Sequence, residues 1–203
     1  VHDVGAMVID GSDDDWGWMD PAFAFTSDMM TASGAEPEFT REDFDVAYFL
    51  GWSPPPDNRL YFFARVTDDV LDINADNPNL WWSDDSFNMA IDADHSGGEN
   101  VGTEIEHINN GQRWQVRIFP SPGGENSEFG TTGMYHGPSI YQGLPQLAWG
   151  HLPPFGEFAS AIEPAGSIHG ATDVTYTYEF RMGLWDFYGL DASESSRHIN
   201  SID

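Results

Sequence analysis

The chain has 203 residues, 40% of them hydrophobic and 14% aromatic, which is enough apolar material for the core of one large β domain. Its 34 acidic residues face only seven basic ones, all arginine, and the net charge of −27 argues against nucleic acid and anionic membranes as partners. Cysteine is absent, which excludes disulfides, thiol catalysis and cysteine-ligated metals. No apolar run reaches the roughly 18–20 residues of a membrane-spanning helix. The start at Val1 rather than Met is interpreted as a processed or trimmed end.

The first forty residues carry little regular periodicity. Residues 8–11 predict a short apolar strand that runs into a glycine turn, followed by an acidic cluster and Trp16. Residues 17–41 have no clean period, so we expect a loop with at most one short strand.

A hairpin is predicted next. Residues 44–52 place every second large apolar side chain on one face, which is typical of a strand. Prolines 54–56 have no amide hydrogen to donate and must end it. Residues 60–66 are predicted to be its partner and, because they are apolar on both faces apart from Arg65, to lie centrally in a sheet. Residues 67–69 are predicted to end this second strand.

Two adjacent tryptophans, Trp81 and Trp82, precede an acidic pair and an alternating strand over residues 86–92. Neighbouring residues of a strand face opposite sides, so we expect one indole in the core and the other exposed. An exposed indole offers a flat apolar platform to the C–H face of a sugar. The alternative is that both indoles pack in the core or in a loop flap.

The turn after this strand resembles half of a calcium-binding loop. Asp92, Asp94 and Ser96 supply oxygens at loop positions 1, 3 and 5, and Gly97 permits the sharp turn. Position 12 holds Thr103 instead of a bidentate glutamate. The sequence therefore predicts a structural Ca²⁺ ion bound by Asp92, Asp94 and Ser96, with a plain Asx-type turn as the alternative.

The second half of the chain alternates strands with one long irregular segment. Strands are predicted over residues 113–119, 158–163 and 174–182. Residues 120–156 are rich in Gly, Pro and Ser and too long for an ordinary loop, so we interpret them as a functional excursion or insertion. Because no segment shows a helical period, the sequence predicts one all-β domain over residues 1–203, an antiparallel jelly-roll-like β-sandwich.

Catalytic patterns are missing. The histidines are dispersed without metal-binding spacing, no Gly-x-Ser-x-Gly occurs, and paired carboxylates inform on glycosidase chemistry only at a defined separation. We therefore predict no catalytic residues and no enzymatic activity.

Four local patterns, taken in order, carry a resemblance to a known family. They are Ile9-Asp10-Gly11 with Asp15-Trp16, Leu60-Tyr61 through Asp68-Asp69, Trp82-x-x-Asp85-Ser86-Phe87 through Asp92, and Thr175-Tyr176 through Glu179-Phe180. This order resembles the family 9 carbohydrate-binding modules, which are jelly-roll-like β-sandwiches related to the DOMON and haem-binding cytochrome domains.

The resemblance implies a sugar-binding site. In the sugar-binding members two tryptophans clamp the terminal sugar, and the first of them falls at Trp82. The second follows the late strand of the family, and we expect it and the last family strands to lie beyond Asp203. An acidic sugar contact of the family falls at Asn88, and an arginine falls at Gln115. The predicted ligand-binding residues are Trp81, Trp82, Asp85, Asn88 and Gln115.

Three functions follow as expectations. The first is a non-catalytic carbohydrate-binding module of a secreted or surface protein, in the extracellular space or periplasm. The second is an accessory or scaffold subunit with a protein partner in a larger assembly there, favoured by the incomplete clamp and by residues 120–156. The third, a haem-binding domain, would need a methionine with a histidine or lysine; lysine is absent and Met89 is predicted to face the core.

Overall fold

The computed structural model describes residues 7–31, 40–53, 59–73, 84–91, 112–117, 134–137, 149 and 153–185. At positions 88, 90, 112–117 and 134–137 the description covers the backbone alone. The strands in these ranges are β1 (Phe25–Thr26), β2 (Phe44–Trp52), β3 (Arg59–Val70), β4 (Ser86–Ile91), β5 (Gln112–Arg117), β6 (Met134–Gly137), β7 (Gly156–Glu163) and β8 (Thr172–Gly183).

Every described strand pairing is antiparallel. One sheet has the order β1-β2-β3-β8-β7, and a second has the order β4-β5-β6. Within the described ranges the helical elements are three short 3₁₀ turns, Asp14–Trp16, Pro21–Phe23 and Ser27–Met29, and Trp149 also has 3₁₀ conformation. The predicted all-β antiparallel fold is confirmed.

The predicted hairpin forms between β2 and β3. Its register runs from Trp52 opposite Leu60 to Phe44 opposite Asp68. Strand β3 lies in the middle of the five-stranded sheet, as its two apolar faces predicted. The predicted end at residues 67–69 is wrong, because Thr67 and Asp68 pair with β2 on one side and with β8 on the other. Backbone pairing on both edges overrides the low strand propensity of aspartate.

Two further predictions need correction. Residues 8–11 form no strand; this segment instead lies against the five-stranded sheet, where Met7 and Ile9 pack on side chains of β3. The segment 120–156 was predicted as irregular, but it contains β6 and the first residue of β7. Four residues of β6 amid Gly and Pro give too short a period-2 signal to be recognised in the sequence.

The main core lies between the two sheets. Inward side chains of β2, β3 and β8 form it, and Phe87, Met89 and Ile91 of β4 pack against it. The ring centroids of Phe87 and Phe62 are 4.3 Å apart, and Phe62 stacks on Phe180 at 4.6 Å. The two sheets therefore contact each other through aromatic side chains; the jelly-roll connectivity stays a prediction.

A second cluster covers the other face of the five-stranded sheet. Tyr61 and Phe63 of β3 are buried there beneath Met7 and Trp16. Trp16 stacks on Trp18 with centroids 6.1 Å apart. Strand β3 is consequently buried on both faces, which explains its nearly continuous apolar sequence.

Candidate functional site

The β4–β5 pair brings two predicted ligand residues together. Asn88 on β4 is the Cα partner of Gln115 on β5. Because Phe87 and Met89 pack against the core, the alternation of a strand assigns position 88 to the opposite face of the sheet. The two positions that the resemblance links to sugar contacts therefore lie side by side.

Asp85 anchors the start of β4. Its carboxylate Oδ2 accepts a 2.6 Å hydrogen bond from the Asp72 amide, and its own amide donates to the Asp72 carbonyl at 2.7 Å. The Tyr178 hydroxyl donates to the Asp85 carbonyl at 3.2 Å. These contacts join β4 to the chain that follows β3. A direct sugar contact of Asp85 stays a prediction.

A second carboxyl group meets Asp85 beside the core. The carboxyl group of Asp68 on β3 lies beside that of Asp85, and its Oδ2 accepts a 3.0 Å hydrogen bond from the Tyr176 hydroxyl. Burial, together with the nearby carboxylates of Asp68 and Asp72, raises the pKa of Asp85 to about 7. Burial also raises the pKa of Asp68, and the donors from Val70 and Tyr176 oppose that rise, as the Asp72 amide does for Asp85.

This carboxyl pair was missed in the sequence, although a signal for it exists. Asp68 continues the inward-facing series Phe62, Ala64 and Val66, so a carboxylate occupies a core-facing position of the strand. Only 8% of Asp68 is exposed. The second member could not be found in this way, because nothing in the sequence pairs Asp68 with Asp85.

The remaining predicted residues are not in the described part of the chain. Trp81 and Trp82 lie outside it, as do the predicted calcium ligands Asp92, Asp94 and Ser96. Across the described ranges, no group of three or more His, Asp or Glu side chains is arranged to hold a metal ion. The ligand and calcium roles of these residues stay predictions.

A buried glutamate links the first and last patterns of the resemblance. Glu179 is fully buried, and its carboxylate accepts hydrogen bonds from the Trp16 indole at 2.9 Å and from the amides of Asp10 and Gly11 at 2.9 and 2.8 Å. Burial raises the pKa of Glu179, and these three donors oppose that rise. The arrangement is structural, since it fixes the N-terminal segment on β8.

A polar cavity of about 220 Å³ opens next to this contact. The Asp13–Arg65 ion pair, with 2.7 Å between Oδ2 and Nη2, lies in its wall. Its other lining residues are Asp10, Gly11, Ser12, Ala161, Glu163, Thr175 and Thr177. The cavity is on the face of the five-stranded sheet opposite to β4, so it is separate from Asn88 and Gln115.

Three aromatic side chains form another cluster. Trp185, just past β8, meets Trp149 edge-on at 5.4 Å and Phe155 at 5.8 Å. Tyr178, which contacts Asp85, lies seven residues before Trp185, and a strand extends by about 3.3 Å per residue. This cluster therefore lies far along β8 from the start of β4.

No helix of the described part is long and apolar enough to cross a membrane.

Comparisons with known proteins assign the chain to a family. No curated protein and no solved structure shows significant similarity to the chain. Residues 9–115, just over half of the chain, match the family described as carbohydrate family 9 binding domain-like, and this span contains both Asn88 and Gln115. The chain therefore belongs to the carbohydrate family 9 binding domain-like family.

Proposed function

We propose that the chain is a non-catalytic carbohydrate-binding module that acts outside the cytoplasm, in the extracellular space or the periplasm. The observation that carries this proposal is the family match, which spans β4 and reaches Gln115 on β5. Sugar sites combine an aromatic platform with a few placed polar groups. In the proposed site Trp82 provides the platform, and Asn88 and Gln115 provide the polar groups.

The two amides define the chemistry of this site. Each carries a carbonyl acceptor and an NH₂ donor, so together they match the paired donor and acceptor character of sugar hydroxyls. The resemblance places an acid and an arginine at these positions. Neutral amides there make binding depend on hydrogen bonds and stacking, so affinity should change little with salt.

A glycan array followed by calorimetric titration tests the proposal. We expect Trp82→Ala to abolish detectable binding. Asn88→Ala and Gln115→Ala should each weaken it about 2- to 12-fold, the equivalent of about 0.5–1.5 kcal/mol for one hydrogen bond. Phe23→Ala is the matched control, because Phe23 is 71% exposed and lies in the segment before β1. Absence of any bound glycan, or equal losses in the control, would contradict the proposal.

The non-catalytic part is tested separately. Incubation of the protein with a panel of polysaccharides should release no reducing sugar. Release that persists across independent preparations would identify an enzyme instead.

An accessory subunit of a larger extracellular or periplasmic assembly is the second candidate. Large apolar side chains are exposed around β1: Phe23 at 71%, Phe25 at 43% and Met29 at 67%. Such a group of side chains is typical of a protein contact surface. Under this alternative, Phe23→Asp with Met29→Asp would release the chain from its native complex in cell fractions, whereas Asn88→Ala would not.

A further inference from the structure

The Asp68–Asp85 pair connects the two sheets. Asp68 belongs to β3 of the five-stranded sheet, and Asp85 immediately precedes β4 of the three-stranded one. The Tyr176 hydroxyl donates to Asp68 at 3.0 Å, and the Asp72 amide donates to Asp85 at 2.6 Å. Both carboxyl groups are thus fixed in place, and neither can turn away without losing a hydrogen bond.

The groups around the pair are acidic or phenolic. The neighbouring carboxylates and hydroxyls come from β3, from the chain after β3 and from β8: Asp69, Asp72, Tyr176 and Tyr178. Asp84, next to Asp85, is also buried. His169 Nδ1 lies 3.3 Å from Asp72 Oδ1 and so contacts the periphery of this group.

We propose that Asp68 and Asp85 share one proton at neutral pH, and that this proton holds the start of β4 against β3. When the proton leaves, two carboxylates face each other in a partly buried site and repel. The start of β4 then separates from β3. Because β4 carries Asn88, we expect the affinity of the proposed sugar site to fall when the proton leaves. This last step rests on the proposed function, whereas the link between the sheets does not.

The direction of the pH dependence follows from linkage. The folded-state pKa of Asp85 is about 7, above its ordinary value of 3.8, so between these values the folded chain binds a proton that the unfolded chain has lost. The stabilisation is complete below about pH 4 and is lost as the pH rises to about 7. Within that window each pH unit raises the unfolding equilibrium constant by up to about tenfold.

Asp85→Asn tests the link directly. The asparagine is neutral at every pH, and it can accept from the Asp72 amide while donating to Asp68. We expect urea denaturation between pH 4.5 and 8.5 to show a pH slope in the wild type, in which the unfolding equilibrium constant rises by up to about tenfold per pH unit below about pH 7. In Asp85→Asn this slope should be reduced by that amount. Asp68→Asn should reduce it similarly. Asp14→Asn, an exposed substitution with the same charge change, should retain the wild-type slope.

Carbon-13 NMR of the aspartate carboxyl groups gives an independent readout. A titration of Asp85 near pH 7 supports the proposal, and one near pH 4 overturns it. An unchanged pH slope in Asp85→Asn also overturns it. The titration is repeated with EDTA and with millimolar Ca²⁺; if calcium removes the pH dependence, a cation rather than a proton joins the two carboxylates and the proposal is wrong.

The consequence for sugar binding is measured by calorimetry at pH 6 and pH 8.5 with a glycan selected on the array. Wild-type affinity should fall at the higher pH, and the affinity of Asp68→Asn, at a position outside the predicted ligand-binding residues, should not. If the affinity of Asp68→Asn falls at pH 8.5 as much as that of the wild type, the positioning role of the pair is overturned. If no glycan binds but the pH slope of unfolding remains, the link between the sheets is supported and the proposed function fails.

Discussion

At the scale of single residues, Glu179 is the clearest case of a polar group whose role is structural. Its carboxylate accepts from three N–H donors of the N-terminal segment. Glu179→Gln replaces one acceptor oxygen by an NH₂ group that faces a donor, so we expect a loss of about 1–3 kcal/mol in the free energy of unfolding. Glu163→Gln, exposed on β7, should change it by less than about 0.5 kcal/mol in the same urea titration. Equal losses would refute this role.

Gly11 provides a second test of the same contact. Its φ is +84°, and an added Cβ would lie 2.8 Å from the Ser160 carbonyl carbon. Gly170 has a similar φ of +81° with open space around it, so Gly170→Ala incurs only the cost of the left-handed conformation, about 1–2 kcal/mol. We expect Gly11→Ala to destabilise the protein clearly more than Gly170→Ala in thermal unfolding. Similar melting temperatures would mean that β7 yields to the added methyl group.

The ligand roles of Asn88 and Gln115 stay predictions, and the sequence did not predict the partners of Glu179 and Asp85. The positions of Asn88 and Gln115 followed from the resemblance, and the structure pairs them across β4 and β5. The partners of Glu179 and of Asp85 are set by tertiary contacts between residues far apart in sequence. Periodicity reports only whether a side chain faces in or out, so it cannot identify such partners.

At the scale of elements, alternation predicted the strands best where one face is buried. Strand β2 was predicted with its observed bounds, and the inward series of β8 from Val174 to Met182 is buried as expected. The opposite face of β8 is polar in sequence, yet Thr177 and Glu179 are buried beneath the N-terminal segment. A covering loop leaves no periodic signal in the strand that it covers.

The contact between the sheets depends on Phe87 of β4. Its ring lies 4.3 Å from Phe62 and 6.1 Å from Tyr48, measured between centroids. Phe87→Ala leaves a cavity between the sheets, and we expect the free energy of unfolding measured by urea denaturation to fall by about 2–4 kcal/mol. This loss is at or below the usual range for a core phenylalanine, because Phe87 is only partly buried. Phe23→Ala removes an equal side chain from the surface and should cost less than about 0.5 kcal/mol. A small effect of Phe87→Ala would place the main sheet-to-sheet contact elsewhere.

At the scale of the whole molecule, the net charge of −27 dominates the solution behaviour. Self-repulsion among many carboxylates opposes compaction, and added salt screens it. The melting temperature should therefore rise between about 10 mM and 500 mM NaCl. This general screening must be separated from the binding of a cation at one site, so the calcium experiment is done at matched ionic strength.

The calcium prediction is tested through Asp94, which lies outside the described residues. An ion that binds only the folded chain stabilises it by about 2.7 kcal/mol at a hundredfold excess over Kd. For a domain of this size, that equals roughly 5–11 °C at about 2–4 °C per kcal/mol. We expect millimolar calcium to raise the melting temperature above that in EDTA at matched ionic strength, and Asp94→Ala to abolish the difference. Asp14→Asn, again at an exposed site, should leave it intact. If the wild type melts at the same temperature with calcium and with EDTA, residues 92–97 are a plain turn. If the melting temperature of Asp94→Ala still rises with calcium, the ion binds elsewhere.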